Sequence, residues 1–197
     1  KNPIDSFIIK KLKENNLDLS KIADPRTQIR RLYFDLIGLP PSPEQIRSYE
    51  NNPSDEAYNK IVNELLESKH YGERWGRHWL DIARFGESDG FERNNPRNNL
   101  WPFRDWVIEA FNKDTPYDEF VRMQIAGDII KPGTEGTSAV AFLAAGLHNT
   151  VVGGSEFMKK TARQDELEEI TGTVGQTFFG LTVNCARCHD HKYDPIS

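Results

Sequence analysis

Apolar residues recur at three- and four-residue spacing between cap and stop signals along almost the whole chain, and no run alternates at period two. That pattern restricts the fold to packed amphipathic helices. The clearest stripe is Tyr58, Ile61, Val62, Leu65 and Leu66, started by Ser54 or Asp55. Upstream, Asn2 caps a helix with Pro3 at its first position and Asp5 in its first turn, and Ile4, Phe7, Ile8 and Leu12 share one face. Ile29, Leu32, Tyr33 and Leu36 form the next stripe, stopped by Gly38 and Pro40-Pro41, and Ser42, Pro43 and Gln45 match a capping box. Downstream, Trp75, Trp79 and Ile82 would share a core face, followed by Phe103, Trp106, Val107, Ala110 and Phe111. Thr115-Pro116-Tyr117-Asp118 reads as a capped start for Phe120, Val121 and Ile125, and the last long helix carries Leu167, Ile170, Thr171, Val174 and Phe178 before Gly180. Between these lie a long polar loop from Phe85 to Asn99 and a Pro/Gly/Ser/Thr connection over residues 131–138. An alanine-rich stretch from Ala139 to Leu147 and the punctuation of Val151 to Gly154 complete the connections. The expected architecture is a mostly α, single multi-helix domain over residues 1–197.

Composition bounds the function. A length of 197 residues suffices for one sizeable core and falls short of two ordinary domains, and a hydrophobic share of 37% is enough to fold. The 25 Lys+Arg against 30 Asp+Glu, net −5, give no electrostatic reason to seek nucleic acid or anionic membranes. No apolar run approaches the roughly 18 residues a membrane span requires. The start, Lys1-Asn2-Pro3, lacks the apolar core of a signal peptide, so any export signal is expected to have been removed or never to have been there.

Two cysteines occur in the chain, Cys185 and Cys188, and His189 follows at once. A bridge between them would close a tiny loop and constrain little, so a disulfide scaffold is excluded. Three chemistries use such a pair. A c-type haem needs two thiols spaced for the porphyrin's two vinyl groups and a histidine directly after the second, and Cys185-Ala186-Arg187-Cys188-His189 supplies each element. Structural zinc needs four ligands, which would require His189 or His191 and a remote donor such as His148. A thioredoxin-like pair opens a helix after a strand, a context the sequence does not offer.

At the level of whole segments the chain resembles the c-type-cytochrome-like domain of large multidomain proteins of planctomycetes and related bacteria, a domain of unknown function. The resemblance is carried by Asn2-Pro3-Ile4-Asp5, by Ile29-Arg30-Arg31-Leu32-Tyr33-Phe34-Asp35-Leu36-Ile37-Gly38-Leu39-Pro40-Pro41 and by Glu73-Arg74-Trp75-Gly76-Arg77-His78-Trp79-Leu80-Asp81. It continues in Trp101-Pro102-Phe103-Arg104-Asp105-Trp106-Val107, Ala126-Gly127-Asp128 and the closing run from Cys185 to Pro195. It implies a bacterial protein that is periplasmic or otherwise exported, with covalent haem c. It also implies that the chain is part of a longer multidomain protein, whose other domains or a separate redox protein would be its partners.

Haem iron has a second axial position, whose occupant decides between electron carrier and catalyst. The donors available are His70, His78, His148, Met123 and Met158, of which His148, at the end of an apolar stretch, ranks first. His191 lies on the proximal side with His189 and would bond a propionate or cap the turn. Arg74, Arg77, Arg84 and Arg104 are candidates to neutralise propionates, with surface ion pairs as their alternative use. Asp81, Glu87, Asp89 and Glu92 could form a substrate or cation site near the polar loop, or simply face water. The expected function is electron transfer, with Cys185 and Cys188 as thioether anchors, His189 as proximal ligand and His148 opposite. The alternatives are a haem enzyme with an open sixth position, its substrate small or carbohydrate-like, and a structural zinc or binding module.

Overall fold

The computed structural model describes residues 2–91 and 93–197, and Glu92, one of the loop carboxylates named above, lies outside them. The described residues form nine α-helices and no strand. The chain divides into two compact units, one of Lys1–Asp35 and Leu39–Val62, the other of Leu36–Gly38 and Asn63–Ser197.

In the first unit, helix α1 (Pro3–Glu14) starts at a complete capping box, Asn2 accepting from the Asp5 N–H and Asp5 accepting in return. No residue of α1 is buried, so the Ile4, Phe7 and Ile8 face is exposed. Helix α2 (Pro25–Ile37) buries Ile29, Leu32 and Tyr33 of the predicted stripe and leaves Leu36 partly buried. Helix α3 (Pro43–Asn51) starts at the predicted Ser42–Gln45 box and meets α2 through a two-pronged Arg26–Glu50 pair and the Tyr49 hydroxyl, which donates to Gln28 at 3.0 Å. Ser54 caps helix α4 (Asp55–Leu66), accepting from the Ala57 N–H.

The second unit holds helices α5 (Lys69–Ile82), α6 (Trp101–Asn112), α7 (Tyr117–Ile130), α8 (Thr134–Val140) and α9 (Glu156–Val174). Its core is Ala83, Phe103, Val107, Phe142 and Ala145, ringed by Trp79, Trp106 and Phe178. Trp79 meets Phe120 edge-on, Trp106 stacks on Phe120, and the Trp79 indole N–H donates to the fully buried Gln124 at 2.6 Å. Three expectations are corrected here. Trp75 and Ile82 do not join Trp79 in the core but remain 37% and 47% exposed, because α5 meets α6 through Gly72 and Gly76 instead. A Cβ at Gly72 would sit 2.3 Å from the Ile108 carbonyl oxygen, so that crossing requires glycine. Thr115 caps nothing, since α7 begins after Pro116 without a side-chain cap. Residues 134–138 are helical rather than part of a connection.

The described residues of the polar stretch after α5 fold back as a hairpin. Ser88 and Pro96 pair antiparallel, the Asp89 N–H donates to the Asn95 carbonyl, and the Arg97 N–H donates to the Glu87 carbonyl.

Candidate functional site

The chain leaves α9 through one π-helical turn, Gly175–Phe179, and Gly180 ends it in the left-handed conformation at φ 66°. A short 3₁₀ helix, Val183–Arg187, then presents the cysteine motif. The motif is seated against α9 by absent side chains. A Cβ at Gly172 would come within 2.3 Å of the Asn184 amide, and one at Gly175 within 2.9 Å of Val183. Arg187, between the two cysteines, reaches back to α9, its guanidinium on Asp165 at 2.7 Å and on Glu168. Its hydrogen bonds to those carboxylates, Asp165 first, raise the Arg187 pKa above its ordinary value.

Both thiols are free and exposed. Nδ1 of His189 lies 2.9 Å from the Asp190 carbonyl oxygen. A carbonyl only accepts, so Nδ1 carries the proton and the Nε2 lone pair is open. This is the tautomer of a metal-ligating imidazole, its ring oriented by a backbone carbonyl behind it. The dithiol and the imidazole therefore fit the attachment chemistry of a c-type haem.

His191 has a different use. Its Nδ1 accepts the N–H of Asp194 at 2.7 Å and of Tyr193 at 3.2 Å, which leaves Nε2–H to donate to Thr182 Oγ1 at 2.9 Å. Thr182 passes its hydroxyl and amide hydrogens to Asp194 Oδ2. With two N–H groups on Nδ1, the 3.6 Å approach of the Asp194 carboxylate is not an ion pair. Both nitrogens of His191 thus hold the turn that presents His189.

His148 lies in the segment before α9 and meets that helix elsewhere. Its Nδ1 is 2.5 Å from Glu166, whose other oxygen holds Arg163 at 2.9 Å, and its backbone N–H donates to the Asp89 carbonyl. It lines a cavity of about 880 Å³, and Cys185, Cys188 and His189 are not among the lining residues. Glu166 and Glu169 point about 100° around the helix from Asp165 and Glu168, so α9 serves the motif on one side and the cavity on another. The other candidate donors have their own settings: His70 bonds Glu73 at 2.6 Å, His78 packs on Trp75, Met123 is buried in α7, and Met158 lies against Gly153. Among the described residues no three His, Cys, Asp or Glu side chains converge as metal ligands, so the zinc reading has no preformed donor set.

Some of the candidate charges are paired. Glu87 takes Arg104 at 2.5 Å and Arg84 takes Glu169. Arg74 packs beneath Gly38, with its Nε buried and unpartnered, while Arg77 and Asp81 are exposed on α5. The residue that sequence reasoning missed is Arg97. It is 13% exposed, bonds Asp89 at 2.7 Å and donates to the carbonyls of Ala144 and Gly146 at 3.1 and 2.8 Å. The Arg97 hydrogen bond holds the Asp89 carboxyl below the usual carboxylate range. Its only signal was a basic residue inside a polar loop, which many solvated arginines share.

The fold and site define a helical protein in which α9 carries, on one side, a turn that presents two thiols and an oriented imidazole and, on another, a charge-paired cavity. The chain belongs to the PSCyt2 family, described as a protein of unknown function (DUF1549), whose model matches residues 3–197. No curated protein and no solved structure matches it. Among the described residues no helix is long and apolar enough to cross a membrane.

Proposed function

We propose that the chain is a c-type haem-binding domain with an electron-transfer role, joined to haem through Cys185 and Cys188, with His189 as proximal ligand. The observation that carries this reading is the combination of two free, exposed thiols with a neighbouring imidazole whose Nε2 is open. Each thiol would add across a vinyl group, its sulfur to one carbon and its hydrogen to the next, with no net oxidation. When bound, the haem supplies an iron that moves between two oxidation states. Arg187 seats the motif on α9, and the Thr182–His191–Asp194 network fixes the turn after it. On this reading the domain works in an exported compartment and exchanges electrons with other domains of a longer chain or with a redox protein.

One observation favours a second reading, a haem with an open sixth position. His148, the first candidate opposite the iron, is bonded to Glu166 beside a cavity that the motif does not line.

Protein produced with export-linked haem-attachment machinery should give the pyridine haemochrome spectrum of haem c after denaturation. Cys185→Ser with Cys188→Ser should abolish it, and a colourless wild-type protein under those conditions would refute the reading. Slow or absent carbon monoxide binding by the reduced protein, with a changed low-spin spectrum in His148→Ala, supports His148 as sixth ligand. Rapid binding with a Soret shift selects the open position.

A further inference from the structure

The 880 Å³ cavity is within the size range of small-molecule sites. It lies between the 86–97 hairpin, the start of α6, α8 with the segment after it, and the middle of α9. Its charges are already matched. Arg97 is held by Asp89 and three carbonyls, Arg163 and His148 share Glu166, and Glu169 takes Arg84. A charged ligand would have to compete with partners already in place, above all within the largely buried Arg97–Asp89 pair, where breaking the pair is costly. Uncharged hydrogen-bonding groups are what remain open. Among the described residues the side chains of Asn99, Thr134 and Thr137 line the cavity without an intramolecular hydrogen bond, and the Nδ1 contact of His148 leaves its Nε2 free. Together they offer hydroxyl and amide groups able to donate and accept, set among apolar neighbours such as Leu143 and Ile170.

We propose that this cavity binds a small, uncharged, hydroxyl-rich ligand of the polyol or simple sugar class, recognised by Asn99, Thr134, Thr137 and His148. The site is separate from the cysteine motif and does not depend on haem. The hairpin forms one wall through Arg97, and the backbone N–H of His148 ties that wall to the far side through the Asp89 carbonyl.

Calorimetric titration of the chain with myo-inositol, glucose and maltose, beside glucose 6-phosphate and glucuronate, tests this. Saturable binding of at least one neutral compound is expected, with its charged counterpart bound more weakly. Thr137→Val, which keeps shape and removes the hydroxyl, should weaken binding about fivefold. Asn99→Ala should do the same, while Cys185→Ser with Cys188→Ser should leave binding unchanged. Unaltered circular dichroism and melting would show that the cavity variants are folded. The proposal is overturned by no saturable binding to any neutral compound or by tighter binding of the charged ones. Indifference to both cavity variants, or loss of binding in the cysteine variant, would overturn it as well. Because the last result concerns the motif and the others do not, failure here is distinguishable from failure of the haem reading.

Discussion

The cysteine turn and the 86–97 hairpin are both irregular and both rich in charge, yet their ties leave them in opposite states. The turn is braced within itself by bonds among Thr182, His191 and Asp194, is seated on α9 through Arg187, and leaves its reactive groups facing outward. The hairpin closes through its own backbone bonds and is tied to the cavity by one inward-facing side chain, Arg97, which pairs with Asp89 and reaches carbonyls distant in sequence. Bracing leaves the thiols of the turn unbonded, whereas the tie of the hairpin uses up its charged group.

Arg97→Ala gives the largest effect that this contrast implies. It leaves the carbonyls of Ala144 and Gly146 without their donor, and a loss of about 2–3 kcal/mol of unfolding free energy is expected in urea denaturation. An unchanged midpoint would mean that the hairpin is not held as described. Next is Gly172→Ala, on the motif side. Better helix propensity offsets part of the clash with Asn184, so the global loss should be about 1 kcal/mol. Its signature is local, a faster reaction of Cys185 and Cys188 with a thiol reagent in the haem-free chain. Arg97→Ala should leave that rate unchanged.

The smallest effect is in pH. Because Arg97 holds the Asp89 carboxyl below its unfolded value, the pair stabilises the hairpin fully above the ordinary carboxylate range. That stabilisation is lost as the pH falls through the lower, folded value. Amide exchange should therefore show the Asp89 and Arg97 N–H groups still protected near about pH 4, with protection fading only below it. Fading already above that pH would contradict the pairing.

The same contrast separates what the sequence made legible from what it hid. The starts at Asn2, Ser42 and Ser54 were readable because a cap bonds within three residues of itself. The motif was readable because its elements are contiguous. The packing face of α5 was misread because Trp75 and Trp79 outweighed Gly72 and Gly76, whose value lies in the absence of a side chain against α6. Thr115 resembled a cap, but the chain enters α7 directly from Pro116. Gln124 as the partner of the Trp79 indole and Arg97 as the tie of the hairpin are contacts across 45 and 47 or more residues, which no local spacing announces. His148 was singled out from its place in the chain, but Glu166, which fixes its ring, became visible only with α9 folded beside it.

The central claim concerns the two thiols and is tested most directly by intact-mass measurement under denaturing conditions, on protein from cells equipped for haem attachment. The account predicts a chain heavier by one haem, with the addition mapped to the peptide that contains Cys185 and Cys188. An unmodified mass with both thiols still titratable would contradict it.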